Sequence, residues 1–412
     1  MYSKLLRTKL AHLTPLRTYQ TRKEAVQHVS NTLAKNLHQR IKATGPLTVA
    51  EYMKQVLTHP GVGYYMHRDV FGEQGDFITS PEISQMFGEM LGVWMLNEWQ
   101  KFGSPTPLQF VEMGPGRGTL SADILKVFGH FDKLNSASLH LVECSPALSE
   151  IQARKLCTTY SNISDSKIYR DGKHKSGLLV KWYQNLADVP KGFSIYLAHE
   201  FFDALPIHKF HKTNHGFREV LIDIDEETDK LKFRYVLAKN KTPMLKYVQN
   251  EFETRNHIEI SPNSMVICEN VCKRIVENGG MALFCDYGHN GEGTDTFRAF
   301  KKHKQVNPLE NPGEHDLTAD VDFKMFRQVA DKVGGVLTYG PAQQRNFLLK
   351  VGLEYRMKSL LKSMDDDDQA GALRKSYDML TSPDKMGSRF KFFAMFPETL
   401  KKVLDKFPVV GF

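Results

Sequence analysis

Short apolar runs alternate with amphipathic segments through the middle of the chain. Buried strands are predicted for the apolar runs Leu108–Met113, Leu139–Glu143, Leu178–Trp182, Phe193–His199 and Met281–Cys285. Helical periodicity is found between them, in Thr119–Phe128, Pro146–Lys155 and Val271–Asn278. Apolar strands separated by helices are typical of a mostly parallel sheet with helices on both faces. The predicted fold class is therefore α/β.

Two segments interrupt this alternation and are predicted to be insertions. In residues 207–240, Phe217–Ile222 and Leu231–Leu237 flank an acidic turn, which indicates an antiparallel hairpin. Residues 289–320 are predicted to be one long loop, and a loop longer than ~12–15 residues is usually functional. The final third is predicted to alternate strands and helices, with Asp365–Asp368 in an exposed loop.

The segment before the first strand is predicted to be helical. Thr48–Glu51 has the pattern of a capping box, and Ser80 followed by Pro81 reads as an N-cap and an N1 proline. The helix after Pro81 carries an apolar stripe that we interpret as core. Gly75–Glu82, with glycines before a helix start, is either a lid over a ligand or a simple helix-entry loop. Thr79 and Ser80 are candidate ligand contacts there.

Composition excludes several classes of protein. Hydrophobic residues make up 41% and charged residues 25% of the 412 residues, which is ordinary for a folded protein. No apolar stretch reaches the ~18–20 residues of a membrane helix, so no transmembrane segment is predicted. The five cysteines contain no CxxC pair, so we expect a reducing compartment and neither a disulfide framework nor a zinc site.

The formal charge of +8 and the pI near 9.0 raise the question of nucleic-acid binding. Residues 1–23 contain six basic residues and no acidic one, with leucines at helical spacing and several hydroxyl residues. This composition favours a mitochondrial transit peptide over a basic disordered tail. Cleavage after Tyr19 removes four basic residues and no acidic one, which lowers the charge to +4. Nucleic acid is therefore not an expected partner.

These observations predict four parts of the chain. They are a transit peptide at 1–22, a helical and lid region at 23–104, a core at 105–350 with insertions at 207–240 and 289–320, and a C-terminal region at 351–412 that completes or packs on the core.

A glycine turn follows the first predicted strand. Gly114, Gly116 and Gly118, with Pro115 between the first two, lead directly into the helix that Thr119 begins. Glycine allows a sharp turn and close approach of the backbone to a ligand. The third glycine comes two residues after the second, whereas the dinucleotide fingerprint requires three.

Two carboxylates indicate which ligand this turn binds. Glu112 precedes the first glycine, where a diphosphate would be repelled but an ammonium group would be attracted. Glu143 ends the next strand, where an acid binds both ribose hydroxyls. This pair favours S-adenosylmethionine over NAD, although a tight turn without a ligand remains an alternative. Asn185, after the third strand, is either a contact to the adenine amino group or an ordinary loop residue.

A second cluster lies at the end of the fourth strand, where open α/β sheets bind ligands. His199, Glu200 and Asp203 are candidate catalytic residues there. Arginine is effectively always protonated, so its guanidinium group must be held by hydrogen bonds and made more nucleophilic by nearby negative charge. Two carboxylates can do both. The alternative is a helix N-cap with an exposed acid. His208, His211 and His215 are spaced like metal ligands, but we interpret them as surface residues and predict no metal site.

Five blocks identify a family that the chain resembles. They are Gly75–Ser84, Val111–Leu120, Leu197–Pro206, Cys285–His289 and Asp316–Phe323. With these blocks the chain resembles, from about Ile41 to Met395, the MidA-like mitochondrial complex I assembly-factor protein arginine methyltransferases.

The resemblance implies a Rossmann-like seven-stranded S-adenosylmethionine-dependent methyltransferase with an N-terminal helical region and inserted hairpin and loop segments. It implies symmetric dimethylation of arginine in a core subunit of respiratory complex I, in the mitochondrial matrix, as a step needed for assembly. By the same resemblance the three glycines would contact the methionine end of the cofactor, and Glu143 the ribose. The alternatives are a complex I assembly chaperone that binds the cofactor without turnover, and an NAD-dependent oxidoreductase.

Overall fold

The computed structural model describes residues 32–66, 79–164, 167–226, 231–248 and 255–412. The predicted transit peptide and the first half of the predicted lid, residues 75–78, lie outside these residues. Within the described ranges, no helix combines the length and the apolar composition that crossing a membrane requires.

The helices and strands are numbered in chain order. The helices are α1 (32–44), α2 (Val49–Thr58), α3 (Ser80–Ile83), α4 (Gln85–Lys101), α5 (Thr119–His130), α6 (Pro146–Leu156), α7 (Pro262–Asn278), α8 (Phe323–Val333), α9 (Gln344–Val351), α10 (Leu353–Lys362), α11 (Asp367–Thr381) and α12 (Lys401–Lys406). The strands are β1 (Leu47–Thr48), β2 (Leu108–Met113), β3 (Ala137–Val142), β4 (Thr159–Asn162), β5 (Ile168–Lys173), β6 (Leu179–Tyr183), β7 (Ser194–His199), β8 (His208–Thr213), β9 (Gly216–Ile224), β10 (Phe233–Leu237), β11 (His257–Ile260), β12 (Gly280–His289), β13 (Arg298–Lys301), β14 (Lys304–Val306), β15 (Asp316–Thr318), β16 (Val321–Asp322), β17 (Val336–Gln343) and β18 (Phe390–Pro397).

A large sheet forms the centre of the molecule, with the strand order β17-β18-β12-β7-β2-β3-β6-β5-β4. The middle strands β12, β7, β2, β3 and β6 are parallel, so their carboxyl ends share one edge. The strand β18 lies between β12 and β17 and is antiparallel to both. The strands from β6 to β17 form the predicted seven-stranded arrangement, which β5 and β4 extend. The predicted α/β fold is confirmed.

Buried side chains fill both faces of this sheet. One core contains Phe87, Trp94 and Phe128 from helices α4 and α5. The other contains Val271 and Phe323 from α7 and α8. This three-layer packing follows from strands that are apolar on both faces. It leaves the carboxyl ends of the strands as the open edge where a site can form.

The predicted hairpin within 207–240 is confirmed, because β9 and β10 pair antiparallel. It belongs to a larger sheet in which β8 and β1 also pair with β9 and β11 pairs with β8. The prediction of one long loop at 289–320 is wrong, since the segment contains the three-stranded sheet β14-β13-β15. Strands of three or four residues are too short to show a clear alternation of polar and apolar positions.

Three other local predictions also fail. Thr79, not Ser80, is the N-cap of α3, and this helix stops because Ser84 is extended and caps α4 through its hydroxyl group. In the final third, α9, α10 and α11 follow one another without a strand. Asp366 caps α11 rather than lying in a free loop, because an acidic side chain can accept the unpaired N–H groups of a helix start.

Candidate active site

The glycine turn lies between the end of β2 and the start of α5. Gly114, Gly116 and Gly118 have positive φ angles of 65°, 53° and 76°. A Cβ at Gly114 would lie 2.7 Å from Cδ2 of Phe201, so a side chain there would collide with the loop after β7. The backbone N–H of Gly118 donates to the Pro115 carbonyl at 2.7 Å, which closes the turn. Only glycine combines this conformation with this close approach.

Glu112 lies on β2 directly before this turn. Its side chain is buried, and its carboxylate accepts a hydrogen bond from Ser121 on α5. Burial raises the pKa of Glu112 to about 7, and the Ser121 hydroxyl opposes the rise. A buried carboxylate in a cleft is stabilised by a cation. Its position fits the ammonium group for which the sequence predicts it.

Glu143 is the first residue after β3. The N–H of Ser145 donates to Oε1 of Glu143 at 2.7 Å, and Nε2 of Gln152 donates to Oε2 at 3.0 Å. Burial raises the pKa of Glu143 to about 7, and these hydrogen bonds oppose the rise. Each carboxylate oxygen retains acceptor capacity beyond its one bond, which suits the two hydroxyl groups of a ribose.

Helix α3 closes the side of the cleft above the glycine turn. Its Glu82 accepts hydrogen bonds from the Thr119 hydroxyl and from Nη1 of Arg117, the latter at 3.3 Å. The backbone N–H of Ser80 donates to Oε1 of Glu200 at 3.3 Å. This helix therefore connects the glycine turn with the loop after β7.

The loop after β7 is wrapped around a buried carboxylate, that of Asp286 on β12. Its Oδ2 accepts the backbone N–H groups of Phe201 at 3.1 Å, Phe202 at 2.9 Å and Asp203 at 3.4 Å. Glu200 takes a left-handed backbone conformation, with φ of 49°, where the strand becomes this loop. Burial and the nearby acids raise the pKa of Asp286, and the N–H groups oppose the rise.

Glu200 and His199 face each other across 3.6 Å, from Oε1 to Nε2. Burial raises the pKa of Glu200 well above its usual value, and the charges of Asp203 and Asp316 add to this effect. Burial also lowers the pKa of His199 to about 3, so its ring is neutral at physiological pH. The Nε2 atom of His199 is buried without a hydrogen-bond partner among the described residues. Phe87 and Phe390 pack against the ring.

Asp203 occupies a different environment from Glu200. Its carboxylate accepts a hydrogen bond from the Thr318 hydroxyl at 2.7 Å, in the inserted segment. Burial raises its pKa, while Thr318 and the Arg298 guanidinium lower it. Asp203 is buried and does not line the cleft, although its charge acts on Glu200, so its catalytic role stays a prediction.

The cleft between these elements contains about 400 Å³ of empty space, open solvent included. The structure brings most of the predicted residues into its wall. They are Thr79, Glu112, Gly114, Pro115, Gly116, Thr119, His199 and Glu200. Ser80, Gly118 and Glu143 adjoin these residues in the sequence or through hydrogen bonds but are not part of the lining. Asn185 is exposed at the carboxyl end of β6 and does not line the cleft, so its adenine contact stays a prediction.

The three histidines predicted to be surface residues lie in and beside β8. His208 has an acidic partner, which the sequence analysis did not anticipate, because Nδ1 lies 2.6 Å from Oε1 of Glu219. The described residues contain no group of three His, Cys, Asp or Glu side chains arranged for a metal ion. All five cysteines are free.

Comparisons with known proteins agree with this geometry. A family model for S-adenosyl-L-methionine-dependent methyltransferases matches residues 90–342. The mitochondrial protein arginine methyltransferase NDUFAF7 of Rattus norvegicus is 51% identical over 377 residues, covering 90% of this chain and 85% of the relative. The Homo sapiens protein of that name is 50% identical over 381 residues, covering 91% and 85%. The Drosophila melanogaster homolog is 50% identical over 387 residues, covering 92% and 88%.

A solved structure shows the same fold. A bacterial protein from Burkholderia thailandensis, bound to S-adenosyl-homocysteine, superposes with a TM-score of 0.72 at 21% identity, covering 91% of this chain and 94% of the other. The residues of the cleft also fit the cofactor, since the turn excludes a Cβ at Gly114 and buried acids are found at both strand ends. The predicted cofactor, S-adenosylmethionine, is confirmed. The chain belongs to the family of S-adenosylmethionine-dependent methyltransferases that contains the mitochondrial NDUFAF7 protein arginine methyltransferases.

Proposed function

We propose that this protein dimethylates arginine symmetrically in a core subunit of respiratory complex I, in the mitochondrial matrix, and that assembly of the complex needs this step. One observation carries the chemical part of the proposal. Glu200, a buried carboxylate with a raised pKa, lines the same cleft as the glycine turn. The names of the relatives support an arginine substrate and a mitochondrial location. The symmetric product and the complex I subunit rest on the family resemblance.

The cofactor would be held at its two ends. Glu112 would bind the ammonium group, the backbone of Gly114 and Gly116 would approach the methionine part, and Glu143 would bind the ribose. When bound, S-adenosylmethionine supplies a methyl group on a positively charged sulfur. The cleft then needs a nucleophilic nitrogen beside that methyl group and a base for the proton that the nitrogen loses.

Glu200 is the residue we assign to both tasks. Its carboxylate holds the guanidinium group and accepts the proton released as the nitrogen–carbon bond forms. A buried carboxylate with a raised pKa suits proton transfer near neutral pH. His199 lies 3.6 Å from the carboxylate and does not compete for the proton, because its own pKa is low. Asp203 and Asp286 add negative charge behind the loop.

Transfer of a labelled methyl group from S-adenosylmethionine to purified complex I core subunits tests the proposal. Mass spectrometry of the product separates symmetric from asymmetric dimethylarginine and from monomethylarginine. We expect Glu200→Gln to lower the rate by roughly 10²–10⁴-fold. S-adenosyl-homocysteine should still bind with an affinity within about threefold of the wild type.

The outcomes separate the alternatives. An absence of transfer by the wild type contradicts the enzymatic function, and a product without symmetric dimethylarginine contradicts the product assignment. Restored complex I assembly by Glu200→Gln in cells that lack the protein would favour the assembly chaperone.

A further inference from the structure

We infer that Gln152 is a positioning residue for the cofactor, because its side chain ties the glycine turn to the ribose-binding carboxylate. Gln152 lies on α6 and its side chain is fully buried. Its Nε2 atom donates to the carbonyl oxygen of Gly116 at 2.7 Å and to Oε2 of Glu143 at 3.0 Å. One amide group therefore joins the ends of two neighbouring strands, where the two parts of the cofactor bind.

A third bond fixes the direction of this amide. Nε1 of Trp182 lies 2.8 Å from Oε1 of Gln152, and an indole N–H can only donate. The amide oxygen must therefore face Trp182, and both N–H groups must face Gly116 and Glu143. All donors and the acceptor of the side chain are used, which makes the arrangement unique.

The hydrogen bond from Gln152 helps to fix the orientation of the Glu143 carboxylate, which would accept the two hydroxyl groups of the ribose. Oε1 is held by the Ser145 N–H and Oε2 by Gln152, so the carboxylate plane cannot rotate freely. Burial of Glu143 favours its protonated form, which accepts hydrogen bonds less well, and the hydrogen bond from Gln152 opposes this effect. The inference rests on the cofactor site of the proposed function and is independent of the methyl acceptor.

The test is calorimetric binding of S-adenosyl-homocysteine to the full chain carrying Gln152→Met, a change that keeps side-chain length and removes all three hydrogen bonds. Hydrogen bonds to a charged group are each worth about 1.5–3 kcal/mol, which converts to roughly 10- to 100-fold weaker binding. The matched control is Gln344→Met, because Gln344 is also fully buried and donates to the Leu380 carbonyl at 3.0 Å, outside the cleft. We expect its affinity to stay within about twofold of the wild type.

A second variant separates positioning from packing. Gln152→Glu has nearly the same shape and can still accept from Trp182, but it sets a carboxylate against Oε2 of Glu143. We expect its loss of affinity to grow from pH 6 to pH 8.5 as both carboxylates ionise. Burial raises the pKa of Cys144 to about 12 and also raises that of Tyr169, so these neighbours do not titrate in that range.

The results decide the inference in each case. A Gln152→Met protein that unfolds at a lower temperature yet binds the ligand within twofold of the wild type would make Gln152 a packing residue only. If Gln152→Met does not fold, a Gln152→Glu protein with a pH-independent affinity loss overturns the inference. A wild type that does not bind S-adenosyl-homocysteine would instead refute the proposed function.

Discussion

The backbone N–H of Phe202 donates to the carboxylate of Asp286 at 2.9 Å, so a side chain of one strand holds the loop that follows its neighbour. The N–H of Tyr287 donates to the other oxygen of the same carboxylate, also at 2.9 Å. The path of the loop, and with it the left-handed conformation of Glu200, therefore depends on an acid that does not line the cleft.

Asp286→Asn keeps the shape of this side chain and removes its charge. Both oxygens of Asp286 accept backbone N–H groups, so the NH₂ group of an asparagine would face donors that it cannot bond. We therefore expect the free energy of unfolding to fall by about 1–3 kcal/mol. The turnover number should fall at least tenfold while the affinity for S-adenosyl-homocysteine stays within about threefold. Denaturant unfolding, steady-state kinetics and calorimetry measure these quantities.

Glu98→Gln is the control for the Asp286 variant. Glu98 is also buried and accepts a backbone N–H, that of Val410, but it lies outside the cleft. It should lose stability without losing turnover. Equal losses of turnover in both variants would contradict a specific role for Asp286.

Gly114→Ala tests the close approach between the glycine turn and the loop after β7. The new Cβ would meet Phe201 at 2.7 Å, and its left-handed φ adds about 1–2 kcal/mol of strain. We expect binding of S-adenosyl-homocysteine to weaken at least tenfold. Gly129→Ala in α5 is the matched control, since its Cβ would meet only Leu134 at an ordinary 3.4 Å and the helix gains an alanine. Unchanged binding by Gly114→Ala would show that the turn tolerates a side chain.

The affinity for an arginine substrate should depend on pH through Glu200. The raised pKa favours the protonated form of Glu200 in the ligand-free protein, whereas a bound guanidinium group favours the ionised carboxylate. Binding therefore releases a proton, so KM for a substrate peptide should fall as pH rises, until the pH exceeds the raised pKa. Kinetics from pH 6 to pH 9, with calorimetry in buffers of different ionisation enthalpy, measures this effect. Glu200→Gln should remove the dependence, and a persistent slope in that variant would assign the proton to another group.

The stability of the ligand-free protein should fall as pH rises from about 4.5 to about 7. The folded-state pKa values of Glu112 and Glu143 are raised to about 7 by burial, so the folded state binds more protons than the unfolded state in this window. Thermal unfolding should show the decline, and Glu112→Gln with Glu143→Gln should make it less steep, while Glu259, whose pKa burial also raises to about 7, keeps part of it. Saturating S-adenosylmethionine should oppose the decline, because its ammonium group stabilises ionised Glu112. If the stability of the double variant falls with pH as steeply as that of the wild type, groups other than Glu112 and Glu143 cause the decline.

Much of the central sheet is predictable from sequence because its strands are buried on both faces. Runs such as Met281–Cys285 stay apolar without alternation, and helices of ordinary length separate them. The strand β4 is not predictable in this way, since all four of its residues are exposed and polar or aromatic. The break at Ser84 is hidden as well, because the apolar periodicity continues across it.

The residues of the candidate site also differ in whether the sequence predicts them. Glu112, Gly114 and Glu143 are recognisable because their spacing to a strand end carries the signal. Gln152 and Asp286 have no such spacing, because their bonds join residues 36 and 84 positions apart, to Gly116 and Phe202. Their partners become visible only once tertiary packing brings neighbouring strand ends together.

The position of β18 between β12 and β17 has a consequence for the order in which the protein acquires activity during its synthesis. Pairing of β12 with β18 must wait for roughly 5–20 s of further translation at ~5–20 residues per second, because about 100 residues separate them. The strands that carry Glu112 and Glu143 emerge first, whereas Phe390, which packs on His199, belongs to the strand that emerges after all others of this sheet. A nascent chain can thus build its cofactor half early and complete the wall beside Glu200 only at the end.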